Sequence, residues 1–522
     1  MTVGGVTTDP DGTVRSAQGM VCTSQPLAAD AGIEMLEAGG SAADAAVAAA
    51  AVLNVVNPHS TGIGGDAFAL WWGPGDAEPA ALAGAGPAPA GLSVEALRGA
   101  GYDEMPNTGP WAITVPGAVS LWTELLDAHG RLEPTRVLAP AIDLARGGFA
   151  LPGGVARYFA QDGDRLSLQA RACFMPAGRA PEGGETVTNP ELGDSLATIA
   201  EHGAGAFYHG EIARRIGDAV ERAGGPLRAE DLAGFGGATW VRPLRTKYRG
   251  VDLYELPPPG QGLAALEALA LYAGLDRDDD AGAEHALLEC MKLAFADAYA
   301  YVADPDMTPV PVDPLLDPGY LQRRRGLVDP TRARPASAGT PSDTVYVAVA
   351  DADGGACSFI QSLYEGFGSG IVASGTGILL QNRGANFTLD ETHPNRPAPG
   401  KRPYHTIIPA MLGRDGAFAG CLGVVGGFMQ PQGQVQIMRN LLDRGLTPQA
   451  ALDAPRWRLR DGLRVDLEDG FPPEVEEGLA LRGHEIGRLA PKDAGGAQLI
   501  LRDGDGYTGA SERRQEGCAL GR

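Results

Sequence analysis

Eight prolines (Pro305, Pro309, Pro311, Pro314, Pro318, Pro330, Pro335 and Pro341) fall in the forty residues Asp304–Asp343, and little helical or strand period survives there. Proline fixes φ and lacks an N–H, so this stretch suits neither a helix interior nor a central strand. It separates two regions of different character. Upstream, a 3.6-residue apolar period predicts helices at Ala118–His129, Pro140–Arg146, Leu192–Glu201, Ile212–Ala223, Ala264–Leu275 and Ala283–Ala300. Downstream, Thr344–Ala350 alternates, Asp351–Gly355 reads as a turn and Ala356–Leu363 as the returning strand of a hairpin. Further strands are expected at Ile378–Leu380, Thr406–Leu412, Ala419–Val425 and Gln498–Leu501, and helices at Gln432–Arg444 and Pro448–Asp453. Blocks of helix and strand predict a layered α+β architecture with packed sheets, not a doubly wound sheet. A long aperiodic stretch inside a compact protein is uncommon and usually functional or mobile.

The N-terminal region opens with two predicted helices, Leu27–Glu37 capped by Ser24 and Ala42–Val56 capped by Ser41, separated by Gly39-Gly40. The second is rich in alanine on every face, which suits a buried helix lying close against a sheet. A glycine-rich segment, His59–Asp66, then leads into a strand at Ala67–Trp72. With 522 residues and 44% hydrophobic content the chain can build a sizeable core. The formal charge of −23, without any basic run, argues against nucleic acid and anionic membranes as partners. The longest apolar stretch, Ala45–Val56, falls short of the ~20 residues of a membrane span. The start shows no basic and apolar leader pattern, and six scattered cysteines lack any C-x-x-C; both predict a cytoplasmic protein with reduced thiols. Eight histidines without H-x-x-x-H or H-E-x-x-H spacing predict no metal site, and Asp276–Asp280 reads as a solvated loop.

The chemistry concentrates at Asp343-Thr344, where the proline-rich stretch gives way to a strand. A threonine hydroxyl is a weak nucleophile unless a base stands beside it, and a threonine at a chain terminus carries that base as its own α-amine. Such an amine titrates near ~7.7–8, so it is partly neutral at physiological pH. Self-cleavage before Thr344 would create that terminus, although the same pattern also suits an ordinary strand start. Glycine pairs present backbone N–H groups to an oxyanion without a Cβ in the way; Gly426-Gly427 and Gly64-Gly65 are the candidates, and tight turns are the alternative.

A collinear set of motifs sharpens this. Gly19-Met-Val-Cys-Thr-Ser-Gln-Pro-Leu-Ala28, Gly39-Gly-Ser-Ala-Ala-Asp-Ala-Ala46, Gly62-Ile-Gly-Gly-Asp66, Val115-Pro-Gly-Ala118 and Ala145-Arg-Gly-Gly-Phe149 are followed by Asp343-Thr-Val-Tyr346, Asp351-Ala-Asp-Gly354, Phe367-Gly-Ser-Gly-Ile371, Gly375-Thr-Gly-Ile-Leu-Leu380 and Asp453-Ala-Pro-Arg456. In this order and over nearly the whole chain, the set resembles the γ-glutamyltransferases, a family of N-terminal nucleophile (Ntn) hydrolases. The resemblance implies an αββα four-layer sandwich made as a proenzyme, cut into 1–343 and 344–522. It implies Thr344 as nucleophile and new amino terminus, Ser362 as the second hydroxyl beside it, and Gly426 and Gly427 as the oxyanion pair. His405 and Thr406 fall on the family's paired serines near the acyl group. No cofactor is implied; the partners are a small amide substrate and the two fragments of one precursor, with a higher homo-oligomer left open.

Two departures bear on substrate. Where the family grips an α-carboxylate with an arginine, this chain has Ala85; where it holds the α-ammonium with an aspartate, this chain has Asn386. A neutral amide makes no charge-assisted bond to an ammonium. Arg383 offers instead a planar fork suited to a carboxylate, and Tyr364 and His405 are further candidates to line the pocket, with packing or a surface ion pair as the alternative. The phrases around Gln361–Gly368, Leu380–Gly384, Arg402–Thr406 and Gly427–Gly433 resemble the branch that includes oxamate amidohydrolase proenzymes and bacterial glutathione-hydrolase-like proteins. The expectation is a self-cleaving amidohydrolase for acyl groups bearing an anion. The alternatives are a glutathione hydrolase or transpeptidase with a rebuilt clamp, a relative that breaks a C–C bond, and an unprocessed binding protein.

Overall fold

Strand Asp343–Ala350 shows how the layers arise. Its odd residues Val345, Val347 and Val349 enter one apolar cluster with the N-terminal helices, and its even residues Tyr346, Ala348 and Ala350 enter another. With a side-chain period of two, both faces of the strand are therefore buried. The computed structural model describes residues 5–276, 279–337, 339 and 342–522; Pro341 and part of the 276–280 run lie outside them.

This strand is the third of a seven-stranded sheet ordered Cys518–Gly521, Met20–Thr23, Asp343–Ala350, Ala356–Tyr364, Asp66–Trp72, Ala80–Gly84, Thr239–Val241. Its neighbours all pair antiparallel. An eight-stranded sheet runs Thr7–Thr8, Val14–Ser16, Gly506–Ser511, Ala497–Asp503, Ala417–Val424, Ala410–Arg414, Val251–Glu255, Leu244–Tyr248. Between the sheets lies a core that includes Phe68, Trp72, Tyr346, Ile360, Met411 and Ile500. Tyr346 fits there because the facing residue is Gly423, where a Cβ would stand 2.3 Å from its ring. Helices cover both outer faces: Pro26–Glu37, Ala42–Val56 and Ala118–His129 on the first sheet, and Gly262–Tyr272, Asp280–Tyr301 and Met429–Leu442 on the second. This is the expected αββα sandwich.

All fifteen residues of helix Ala42–Val56 are buried. Ser41 caps it as predicted, in a reciprocal box with Asp44, whose carboxylate also accepts the Arg131 N–H. Several expectations change in detail. Helix Pro26–Glu37 is entered through Gln25 with proline at its first position, not capped by Ser24. The strand expected at Thr406–Leu412 begins only at Ala410, directly after Pro409, which cannot donate to a ladder. The proline-rich stretch is not wholly aperiodic: it holds short helices Val312–Leu315 and Pro318–Arg325, the second with its proline in the tolerated first turn. Asp279 caps helix Asp280–Tyr301, so the acidic run ends in a helix start and not wholly in a solvated loop. The six cysteines are free thiols. Among the described residues no helix is long and apolar enough to cross a membrane.

Candidate active site

Thr344 occupies an irregularity in the central hairpin. The register passes from Asp343↔Tyr364 to Val345↔Gln361, so two residues, Ser362 and Leu363, face the single Thr344. Such a bulge re-aims a side chain at a sheet end. By parity Thr344 points between the sheets, toward the turn that follows strand Ala417–Val424. Its Oγ1 lies 3.5 Å from Ser362 Oγ, and Gln430 Nε2 donates to it at 3.4 Å. Ser362 Oγ in turn donates to the Asp343 carbonyl at 2.7 Å and accepts the Tyr364 N–H at 2.7 Å. A hydroxyl therefore already polarises the carbonyl of the bond before Thr344.

Gly426 and Gly427 form the turn that enters helix Met429–Leu442, with φ of 114° and 62°. Neither N–H donates to a partner among the described residues. A Cβ on Gly427 would stand 2.5 Å from Ser342 Oγ, and one on Gly339 would enter the Phe428 ring at 2.1 Å. Ser342 and Gly339, upstream of Thr344, thus lie directly over this turn. The other candidate pair serves packing: a Cβ on Gly64 or Gly65 would meet the Leu379 or Ser362 carbonyl oxygen at 2.2 or 2.3 Å.

Behind the hairpin lies a polar cluster. Arg383 is fully buried. Its Nη1 donates to Thr406 Oγ1 at 2.7 Å, and its guanidinium stacks on Tyr364 at 4.6 Å. Its Nε and Nη2 have no hydrogen-bond partner among the described residues. Burial lowers its pKa to about 10, opposed by the nearby Asp66, Tyr364 and Glu365. Tyr364 holds a φ of 84°, a region costly for a bulky side chain and typical of functional sites.

Asp66, fully buried at the end of the Gly62–Asp66 motif, accepts the N–H groups of Gly86 and Gly117 and a bond from Gln381. Burial lifts its pKa to about 7 against the pull of Arg383. His405 meets it through Nε2 at 3.2 Å and is held neutral by burial and by Arg383. Gln261 ties the cluster to the glycine turn, donating to the carbonyls of Thr406 at 2.6 Å and Gly427 at 3.0 Å.

The structure thus brings Thr344, Ser362, Gly426 and Gly427 to one point, and Arg383, Tyr364, His405 and Thr406 into one cluster joined to it. Asn386 ends the same turn as Arg383; its amide nitrogen is buried without a partner among the described residues. A cavity of about 370 Å³ has Ser342, Asp343, Thr344 and Gly426 in its wall, together with His59, Tyr158 and Lys492. The Arg383 cluster does not line it, which fits the position of Ser342 over Gly427. Sequence reasoning missed Asp66, Gln261 and Gln430 as site residues. Asp66 and Gln430 stand inside motifs quoted for the resemblance, but their roles depend on residues outside those motifs, Gln381 and His405 for Asp66 and Thr344 for Gln430.

One further group has ligand-like composition. His285, Glu289 and His484 lie within 4.8 Å of one another, a grouping invisible to a search for short histidine spacings. Lys292 Nζ already holds Glu289 at 2.7 Å and the Arg334 carbonyl at 2.7 Å, and His285 meets both His484 and the Asp329 carbonyl. The group acts as a clasp on the proline-rich stretch.

Comparisons with known proteins agree with this geometry. The profile of the gamma-glutamyltranspeptidase family matches residues 28–521. A glutathione hydrolase-like YwrD proenzyme of Bacillus subtilis is 37% identical, over 96% of this chain and 98% of its own. An oxamate amidohydrolase proenzyme of Klebsiella pneumoniae is also 37% identical, over 97% of this chain and 99% of its own. The crystal structure of a cephalosporin acylase from Bacillus halodurans superposes with a TM-score of 0.94 at 43% identity, covering 100% of this chain and 98% of that one. The chain belongs to the gamma-glutamyltranspeptidase family and carries its Ntn-hydrolase fold from end to end.

Proposed function

We propose that the chain cuts itself between Asp343 and Thr344 and then hydrolyses small amides whose acyl half bears an anion but no ammonium. In the first step Thr344 Oγ1 adds to the Asp343 carbonyl, the C–N bond breaks and an ester forms; water then releases the Asp343 carboxylate. The freed Thr344 amine becomes the base. In turnover the same oxygen takes the substrate acyl group, the Gly426 and Gly427 amides face the developing oxyanion, and water releases the acid. The hydrogen bond from Ser362 to the Asp343 carbonyl supports the self-cleavage, and the long contacts at Thr344 Oγ1 suit an uncut site whose bonds tighten on reaction.

The observation that carries the substrate class is Arg383: a buried guanidinium whose Nε and Nη2 have no hydrogen-bond partner among the described residues, in a cluster joined to the nucleophile. Leaving such donors unpaired costs ~1–3 kcal/mol or more, and a substrate carboxylate would recover it. Ala85 and Asn386 remove the means of holding an amino acid's two charges. The names of the relatives agree on proenzymes and on hydrolase or acylase chemistry and diverge in the acyl group.

Purified protein is expected to run on a denaturing gel as fragments of 343 and 179 residues (522 − 343). T344A should remain a single inactive band; continued cleavage would move the nucleophile elsewhere. Glutaryl-4-nitroanilide, which lacks only the ammonium of the γ-glutamyl compound, should be the better of the two. A preference for γ-glutamyl-4-nitroanilide, stimulated by a dipeptide acceptor, would make the protein a transpeptidase instead. An uncut wild-type chain without activity would leave a binding protein. Activity should fall below roughly pH 7.7–8, where the α-amine takes up a proton.

A further inference from the structure

The 370 Å³ cavity beside Thr344 has a wall whose charges are mostly spoken for. Arg513 pairs with Asp453 at 2.6 Å, and Arg514 with Glu468 and Glu512 at 2.7 and 2.8 Å. Glu516 accepts the Gly154 N–H at 2.9 Å and a bond from Gln25 at 3.3 Å. Two cations remain. Arg157, on helix Gly153–Asp162, and Lys492, on the turn Pro491–Asp493, are exposed and line the same cavity. Neither side chain is in an ion pair or a hydrogen bond among the described residues. The same cavity has a flat wall: Tyr158 stacked on His59 at 4.0 Å and 17°. His59 is fully surrounded by protein, which drops its pKa to about 3 and keeps it uncharged. The remaining acid in the wall, Asp343, belongs to the segment that self-cleavage would detach.

We infer that Arg157 and Lys492 form a carboxylate-binding subsite for the amine half of the substrate, with Tyr158 as a platform for a planar amine. The inference rests on the amidohydrolase reading and extends it. The acyl anion is assigned to Arg383, which does not line this cavity, whereas Thr344 itself does. In acylation the bond from Thr344 Oγ1 to the acyl carbon forms and the C–N bond breaks. The hydroxyl proton passes through the Thr344 amine to the departing nitrogen. The amine thus leaves uncharged at that nitrogen, and its carboxylate is the handle that Arg157 and Lys492 hold. The substrate class is therefore an amide anionic at both ends.

Two chromogenic amides differing in one group test this: glutaryl-4-nitroanilide and glutaryl-3-carboxy-4-nitroanilide. The wild type should favour the carboxylated compound by about tenfold in kcat/KM, mostly through KM, as suits charge-assisted contacts at a partly exposed rim. Added salt should shrink that ratio. In R157Q/K492Q the ratio should fall to about one. In R157E/K492E it should invert toward the 3-aminomethyl-4-nitroanilide, a gain that a misfolded variant cannot produce. An unchanged ratio in both variants overturns the subsite and leaves the amidohydrolase reading intact. Absence of turnover with all three anilides overturns that reading instead. Calorimetry with 3-carboxy-4-nitroaniline alone then decides the subsite: tighter binding than 4-nitroaniline, lost in R157Q/K492Q, supports it, and equal binding ends it.

Discussion

Arg383 and Asp343 are charged groups in surroundings that disfavour charge, and each makes a measurable claim. Losing Arg383 removes charge-assisted hydrogen bonds worth ~1.5–3 kcal/mol, so R383Q should lower kcat/KM for glutaryl-4-nitroanilide by roughly 10–150-fold. The loss for an uncharged butyryl anilide should be far smaller; equal losses would reduce Arg383 to a packing role. At Asp343, desolvation and the carboxylates of Asp162 and Glu365 carry the pKa up to about 7, with Arg165 opposing. In an unfolded chain it would titrate near ~3.9. The folded precursor therefore holds a proton there that the unfolded chain has lost. The resulting stability is full below about pH 4 and disappears as pH rises through about 7. Partial exposure of the residue keeps the effect below that of full burial. The melting temperature of uncut D343N/T344A should exceed that of T344A by a margin that grows from pH 4 to 7; contributions from Asp66 cancel in the difference. A flat margin would refute the shift. Thr344 and Ser362 were legible because motif spacing along two adjacent strands determines them. Asp66 and Gln261 were not, because a buried acid and a bridging amide acquire meaning only from partners at positions such as 405, 406 and 427.

Among the elements, helix Ala42–Val56 has little room for change. Every face is covered, so A48L should cost ~1–3 kcal/mol in denaturant unfolding or abolish soluble expression. Most of the longer helices were legible from their 3.6-residue period, and this one from its alanines, whereas Gly153–Asp162 and Pro473–Leu481 were not read. Strands fared unevenly. The central hairpin announces itself by alternation, whereas Met20–Thr23 and Val251–Glu255 are short, buried on both faces and without a clean alternation to read. Such runs do not distinguish strand from helix by pattern alone. The displaced start at Ala410 has a local cause in Pro409, and the short helices at Val312–Leu315 and Pro318–Arg325 show prolines tolerated in or just before a first turn.

Over the whole molecule, the proposed cut does not fall between domains. In the seven-stranded sheet, strands Asp343–Ala350 and Ala356–Tyr364 from the C-terminal side of residue 343 lie between Met20–Thr23 and Asp66–Trp72 from the N-terminal side. In the eight-stranded sheet, four adjacent C-terminal strands are flanked on both sides by N-terminal ones. The fragments should therefore co-elute as one species in size-exclusion chromatography and part only in denaturant; separate native peaks would contradict this topology. The interleaving also changes the order of the folding reaction. A continuous precursor regains its sheets by a first-order process, but once nicked, unfolding liberates two polypeptides that must meet again. Protein concentration then enters the equilibrium. Simple dilution, harmless to the zymogen, becomes a destabilising agent for the mature heterodimer.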